Sequence, residues 1–534
     1  MAELYLLHHL LEDAAATAPA TEALVDLSGP RRSLSFQTFH DTAAHCAALL
    51  QVHGLSRAER VAIYLPKSAE EAAAIFAVSM AGGVFVCVNA LLRGHQVAHI
   101  LSDCGATYLI TSSREWQRIR ADVASVKSLR CLLLIDAKAT SDESENEGTD
   151  LAVVFDVMQA GRLCPSSPAN IGEDLAGLLY TSGSTGKPRG VMLSHRNLLA
   201  GSRIVTSYLN IGADERILSV LPFSFDYGLN QLLTSVQNRA AIVLFQYRFP
   251  SEIVRALRDE AITGLAGVPL VWAGLVHHTS GLRDGAPRAL RYITNSGGAV
   301  PAATVRTLRQ LVPNTKIFLM YGLTEAFRAT YLPPRELDRR PTSIGKAIPE
   351  TEIFVIDSEG RPCAPGQPGI LIQRGPTVSL GYWGNPELTR EVLRPHPFVR
   401  AERGGDTVCY SGDLVRADEE GFLYFIARAD GQIKSQGYRV SPSEVEDVLM
   451  ESTEIAQAAV IGLSAADSGE RIHAVVVAVD AASFNPADLL RHCASRLPAY
   501  MTPKTVEAVD ALPKSPNGKI DYKTLRADRS GQIQ

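Results

Sequence analysis

The chain has 534 residues, of which 46% are hydrophobic and 20% charged, with 52 basic against 57 acidic side chains. That length exceeds one ordinary core, so two or more domains are expected, and the composition is that of a soluble globular protein. A net charge of −5 without a strongly basic segment excludes an electrostatic case for nucleic-acid binding.

The opening stretch MAELYLLHHLLEDAAATAPA reads as an amphipathic helix over residues 5–20. It lacks the basic start of a secretory signal, and no run reaches about 18 apolar residues, so no membrane span is expected. Ser33–Phe36 reads as a short strand, Thr38–His53 as a helix, Val61–Leu65 as a buried strand and Ala69–Ala81 as a helix. Strand Val84–Val88, a helix near Gln96–Cys104 and strand Tyr108–Ile110 continue the alternation. Strands and helices at this spacing predict parallel α/β layers. Thr140–Asp150 is acidic and without apolar residues, as expected of a surface loop. The eight cysteines form neither a C-x-x-C pair nor a Cys/His cluster, which predicts reduced thiols in a cytoplasmic protein. The adjacent His277 and His278 cannot share one face of a helix or strand, so no metal site is expected there.

Gly177–Tyr180 reads as a strand that breaks into a loop, Thr181-Ser182-Gly183-Ser184-Thr185-Gly186-Lys187. Glycine lets backbone N–H groups approach a polyanion, and the hydroxyls and Lys187 add donors and charge, so the loop suits phosphate. An NTP-hydrolysing P-loop fails on spacing, because two residues rather than four separate Gly183 from Gly186, and Pro188 follows Lys187. Leu221–Gln231, LPFSFDYGLNQ, reads as a loop entering a helix, and Asp226 among its rings needs a partner. Leu290–Pro301, LRYITNSGGAVP, is a strand with a glycine turn, and Ile317–Arg328, IFLMYGLTEAFR, a second strand and loop. Then come Tyr410-Ser411-Gly412-Asp413-Leu414 and residues 425–444, FIARADGQIKSQGYRVSPSE. Ser441, Pro442 and Glu444 have the form of a helix start, with cap, first-turn proline and glutamate three after the cap. Runs Ala456–Leu463 and Ile472–Val479 and a helix over Pro486–Leu497 predict a small α+β domain. It ends in a Pro/Gly turn, Leu512–Asp521, with Lys519 at its tip.

Taken in order, these stretches resemble the motifs of the acyl-adenylate-forming superfamily of acyl-CoA synthetases, amino-acid adenylation enzymes and luciferases. The resemblance covers nearly the whole chain. It implies a large α/β domain over residues 1–429 and a small mobile α+β domain over residues 430–534, hinged at Asp430. It implies ATP and Mg²⁺, with Thr181, Ser182, Gly183, Ser184, Thr185, Gly186 and Lys187 on the phosphates. Gly298 and Tyr321 would pack near adenine, Thr324 would touch the α-phosphate, Glu325 would hold Mg²⁺, and Asp413 and Arg428 would reach the ribose. Lys519 would be the catalytic lysine of adenylation, and Lys434 and Gly437 would face the thiol in the second half-reaction. Ala427 and Arg189 stand where the family commonly has Gly and Lys.

The acyl pocket is where the branches differ. In the amino-acid-activating branch an Asp at the position of Asp226 pairs with the substrate ammonium, and Arg328 suits a second carboxylate. The alternative is that Asp226 and Arg328 pair with each other. The set Asp226, Ser296 and Arg328 resembles stand-alone β-amino-acid-type adenylation enzymes accepting aspartate or 3-methylaspartate. These activate the carboxyl β to the amine and load it on a carrier protein, with free CoA as the other possible acceptor. Fifteen residues follow Lys519, so the thiol is expected from another molecule.

Overall fold

The computed structural model describes residues 4–136, 151–154, 157–158, 164–182, 188–277, 280–283, 287–298, 300, 302–399, 407–428, 432–465, 469–513, 520 and 522–529. The acidic 140–150 stretch, Gly183–Lys187, His278, Asp430 and Lys519 lie outside them, and so does the boundary expected at 429/430.

Two large sheets carry the N-terminal domain. One has nine strands among the described residues, running from Lys346–Ala347 through Thr330–Leu332, Lys316–Tyr321, Tyr292–Asn295, Gly264–Gly267, Arg216–Ser219, Ala241–Leu244 and Glu22–Asp26 to Arg32–Ser35. Its six central strands, Lys316–Tyr321 to Glu22–Asp26, are parallel, so their carboxyl ends share one edge. The other sheet has eight, from Gly381–Tyr382 through Pro188–Ser194, Leu175–Ser182, Val84–Cys87, Arg60–Tyr64, Tyr108–Thr111 and Cys131–Leu134 to Ala152–Val154. Helices Phe36–Val52, Ala69–Met80 and Asp226–Gln237 share one core with strands of both sheets. Ala72, Ala73, Ala74 and Ala77 are all buried, because a helix covered on every side needs small residues to let its neighbours close in. A third sheet contains Glu352–Ile356, Gly369–Arg374, Leu393–Pro395, Thr407–Ala417 and Leu423–Arg428.

The small C-terminal domain is a separate sheet of Ile433–Ser435, Tyr438–Val440, Ile455–Ala465, Gly469–Ala478 and Thr505–Ala508, packed by helices Pro442–Met450 and Pro486–Arg496. The alternating α/β layers and the small α+β domain agree with the expected fold class. The first helix is shorter than expected, His9–Thr17 rather than 5–20. Before it, the Leu6 and Leu7 amides donate to His9 Nδ1 and His195 Nδ1, at 3.4 and 3.0 Å, instead of entering a helical ladder. After it, Pro19 has no amide hydrogen to continue the ladder. Among the described residues no helix is long and apolar enough to cross a membrane, and all eight cysteines are free.

Candidate active site

The site lies where the carboxyl ends of the parallel strands meet the small domain, the usual place for ligands on an open α/β sheet. A cavity of about 470 Å³ is lined by Asp226, Ser296, Gly298, Thr324, Lys434 and Gly437 among others. A second, of about 690 Å³, shares Thr181 and Arg439 with it and adds Arg189, Glu325 and Tyr382.

Thr181 and Ser182, expected in the phosphate loop, instead finish strand Leu175–Ser182. They pair with Arg189 and Pro188 of the returning strand, so the backbone of these two residues belongs to a β-ladder rather than to a loop. Thr181 still reaches both cavities. Tyr321 ends strand Lys316–Tyr321, and its hydroxyl donates to Asp413 Oδ2. Asp413 is fully buried, with its amide on Ser411 Oγ at 3.0 Å. In the neighbouring strand Arg428 stands opposite Asp413 in register.

Thr324 and Glu325 occupy a short 3₁₀ turn, Thr324–Ala326. Phe327 comes next at φ +49°, a left-handed conformation that bulky residues rarely adopt. Its ring fills the space that a side chain at Gly201 would take, the added Cβ meeting Phe327 Cδ1 at 2.3 Å. Packing thus holds the turn that presents Glu325 on one side and Arg328 on the other. Glu325 Oε1 accepts from the Tyr382 hydroxyl at 2.6 Å. Its Oε2 is buried without a hydrogen-bond partner among the described residues, and Arg439 Nη1 lies 3.8 Å away. A buried carboxylate oxygen left open beside a cavity is a hard donor that fits Mg²⁺.

Asp226 opens helix Asp226–Gln237, after the punctuated loop as expected. Its Oδ1 accepts from the Tyr227 amide at 2.8 Å, and its Oδ2 accepts from Arg328 Nη1 at 3.2 Å. Both side chains are buried, 5% and 2% exposed, so this ion pair is desolvated on both sides. Burial pushes the Asp226 carboxyl up, and the Arg328 guanidinium, then that of Arg439, offsets part of the rise. Arg328 also donates to the Phe327 carbonyl at 2.8 Å and lies over the rings of Tyr227 and Phe327. Of the two alternatives left open by the sequence, the direct Asp226–Arg328 pair is the arrangement present. Of the two side chains, Asp226 alone lines the cavity of about 470 Å³. Arg328 faces a void of about 20 Å³ behind it, beside Tyr227, Asn230 and Met320, and its Nε has no hydrogen-bond partner among the described residues. Ser296 follows strand Tyr292–Asn295, and Asn295 Nδ2 holds the adjoining glycine turn by donating to the Gly298 carbonyl at 2.9 Å.

The small domain enters through the hairpin Ile433–Ser435/Tyr438–Val440, in which Lys434 stands opposite Arg439. Lys434 Nζ lies 3.8 Å from the centre of the Phe425 ring. Gly437, at φ +85°, presses so close to Val268 that an added Cβ would fall 2.8 Å from it, so a side chain there would push the hairpin out of the cavity. Tyr438 meets Phe225 and stacks on Tyr500. Ser441 caps the next helix as expected, but Glu444 turns away from the cap and accepts from Gln96 of the large domain at 3.3 Å. Tyr382 and Arg439 were given no role from the sequence. Arg439 lies within the stretch 425–444, and Gly381 at φ +107° is a local sign that Tyr382 is specially placed.

Residues 11–383 match the family described as AMP-binding enzyme, and residues 444–519 match AMP-binding enzyme C-terminal domain. A long-chain-fatty-acid–CoA ligase of Escherichia coli O157:H7 is 30% identical over 94% of this chain and 91% of its own length. Tyrocidine synthase 3 of Brevibacillus parabrevis is 29% identical over 97% of this chain, which spans 8% of that protein. The amide bond synthetase McbA from Marinactinospora thermotolerans superposes with a TM-score of 0.84 at 24% identity, covering 98% of this chain and 99% of the other.

Proposed function

The chain belongs to the AMP-binding enzyme family of AMP-forming ligases, and within it we propose an enzyme that adenylates a short amino acid carrying a second carboxylate. Aspartate, 3-methylaspartate and glutamate are the substrates of this class. The observation that carries the proposal is Asp226 on the wall of the cavity, in a desolvated ion pair with Arg328 behind it. A buried ion pair is costly to keep in an apolar pocket and gives a fatty chain nothing. Asp226 offers the ammonium of an amino dicarboxylate its counter-charge from the cavity wall, with Ser296 lining the same cavity, and the spare carboxylate would reach Arg328 by displacing it from Asp226. Among the described residues, the void behind the pair has room for about one water and not for an acyl chain.

In the first half-reaction a carboxylate oxygen of the acid attacks the α-phosphorus of ATP, and pyrophosphate leaves with the electrons of the broken P–O bond. Two anions meet, so positioned donors and cations supply most of the catalysis. Thr181–Lys187 are assigned to the phosphates, Thr324 to the α-phosphate and Lys519 to bridging the two reactants. Gly298, Tyr321, Asp413 and Arg428 are assigned to the nucleoside. Glu325 would hold Mg²⁺, which when bound neutralises phosphate charge. In the second half-reaction a pantetheine thiol attacks the acyl carbon, AMP leaves and the thiol proton passes to solvent. Placement of the Lys434–Gly437 hairpin against the cavity supports assigning the domain arrangement of this structure to that step. We assign the thiol to a carrier protein, with CoA as the competing acceptor.

Calorimetric titration tests the acid class, using enzyme saturated with a non-hydrolysable ATP analogue. Binding of aspartate or 3-methylaspartate without binding of octanoate is expected, and the reverse order of affinity would refute the assignment.

A further inference from the structure

Glu325 is held by groups from both domains. Tyr382, on the large domain, occupies Oε1. Arg439, on the small-domain hairpin, is the ion-pair partner found for Oε2 among the described residues. The Glu325 side chain is 10% exposed, and a carboxylate so deeply placed needs a counter-charge whenever it is ionised. Oε2 is also the oxygen that was left open for the divalent cation.

We propose that Arg439 is a positioning residue of the second half-reaction, taking over on Glu325 the charge that the divalent cation neutralises in the first. The inference rests on the two-step reading above and adds a reason for the order of the steps. The guanidinium and the cation address the same oxygen and repel each other, so they occupy it in turn. While the cation is bound, Arg439 is driven off and the hairpin with it. Once the cation leaves with pyrophosphate, Glu325 is an uncompensated buried anion, and docking of the hairpin relieves it. Lys434 and Gly437 ride on the same hairpin, so the contact that neutralises Glu325 also sets the loop assigned to the thiol. Coupling of this kind is reciprocal: a docked hairpin weakens the cation by the factor with which the cation weakens docking.

Competition is measured directly, with Mn²⁺ as the probe and its binding to nucleotide-free enzyme followed by electron paramagnetic resonance. Arg439→Gln is expected to raise Mn²⁺ affinity about fivefold or more, the lower end of ordinary coupling factors. Glu325→Gln is expected to abolish that binding. In parallel, amide hydrogen exchange over residues 433–440 should quicken in Arg439→Gln, and in the unsubstituted enzyme when Mn²⁺ is added. Thiol transfer from preformed acyl-adenylate should fall about tenfold or more relative to ATP–pyrophosphate exchange, with Arg439→Lys recovering part of it. Unchanged Mn²⁺ affinity in Arg439→Gln, or equal loss in both half-reactions, overturns the proposal. If no amino dicarboxylate supports exchange, the substrate reading has failed, while the Mn²⁺ and hydrogen-exchange results still decide the role of Arg439.

Discussion

Replacing Arg328 with methionine keeps most of the side-chain length and removes the cation beneath Asp226. At the observed 3.2 Å, Coulomb's law at an effective dielectric constant near 20 gives an attraction of about 5 kcal/mol. Truncating one partner of a buried pair costs about 2–5 kcal/mol, which is about 30-fold to several-thousand-fold in kcat/KM. The loss should divide in a specific way. Burial already raises the Asp226 carboxyl, and without Arg328 it rises further, so the variant keeps its Asp226 proton to higher pH than the parent enzyme. Every amine-bearing acid then has a weaker ammonium contact at the lower pH values, and regains it as rising pH ionises Asp226. An amino dicarboxylate loses its carboxylate contact as well, which no pH restores. ATP–pyrophosphate exchange with aspartate and with β-alanine, from about pH 6 to pH 9, separates the two effects. The variant should recover β-alanine activity with increasing pH, while aspartate stays about tenfold or more further below its starting value. Equal losses for both acids, with flat pH profiles, would return Arg328 to a structural role.

Three further outcomes are expected. Lys519→Ala should abolish adenylate formation but spare thiol transfer from preformed acyl-adenylate, and parallel loss of both steps would contradict its assignment. Glu325→Gln should lower exchange by about a hundredfold and flatten its dependence on Mg²⁺ concentration, with an unaltered metal titration counting against the site. Burial raises the Glu444 carboxyl from 4.5 to about 7 at the contact with Gln96 of the large domain. The docked state therefore holds the proton more tightly, and docking weakens as pH rises from about 5 through 7. Hydrogen exchange over helix Gly94–Cys104 should show this in the parent enzyme, and Glu444→Gln should remove it.

The large-domain alternation was legible because its strands and helices are short, strongly apolar and punctuated at their ends. Strand Val84–Cys87 and helix Ala69–Met80 fall within a residue of the expected bounds. Thr181 and Ser182 belong to a strand and not to the loop expected to begin at Thr181. Hydroxyl-bearing residues such as Thr181 and Ser182 read equally well as loop or as strand, and only the pairing with Arg189 and Pro188 decides. Asp226 announced itself as a carboxylate among rings that needed a partner. Whether Arg328, 102 residues away, would be that partner or would face a ligand depends on how the Thr324–Arg328 turn is held. That in turn rests on a positive φ at Phe327 and the missing side chain of Gly201, neither of which leaves a pattern in the sequence. Tyr382 and Arg439 carry no signal of their own for a related reason: each contacts Glu325, from a different sheet and in one case a different domain. Sequence motifs report the groups on one stretch of chain, and these two matter through the distant side chain they meet.

Substrate-dependent ATP–pyrophosphate exchange across aspartate, 3-methylaspartate, glutamate, β-alanine, proline and medium-chain fatty acids tests the central assignment most directly. Exchange confined to the amino dicarboxylates is the expected result. Exchange with fatty acids alone would contradict it, leaving Asp226 and Arg328 to satisfy only each other in an acyl-CoA synthetase.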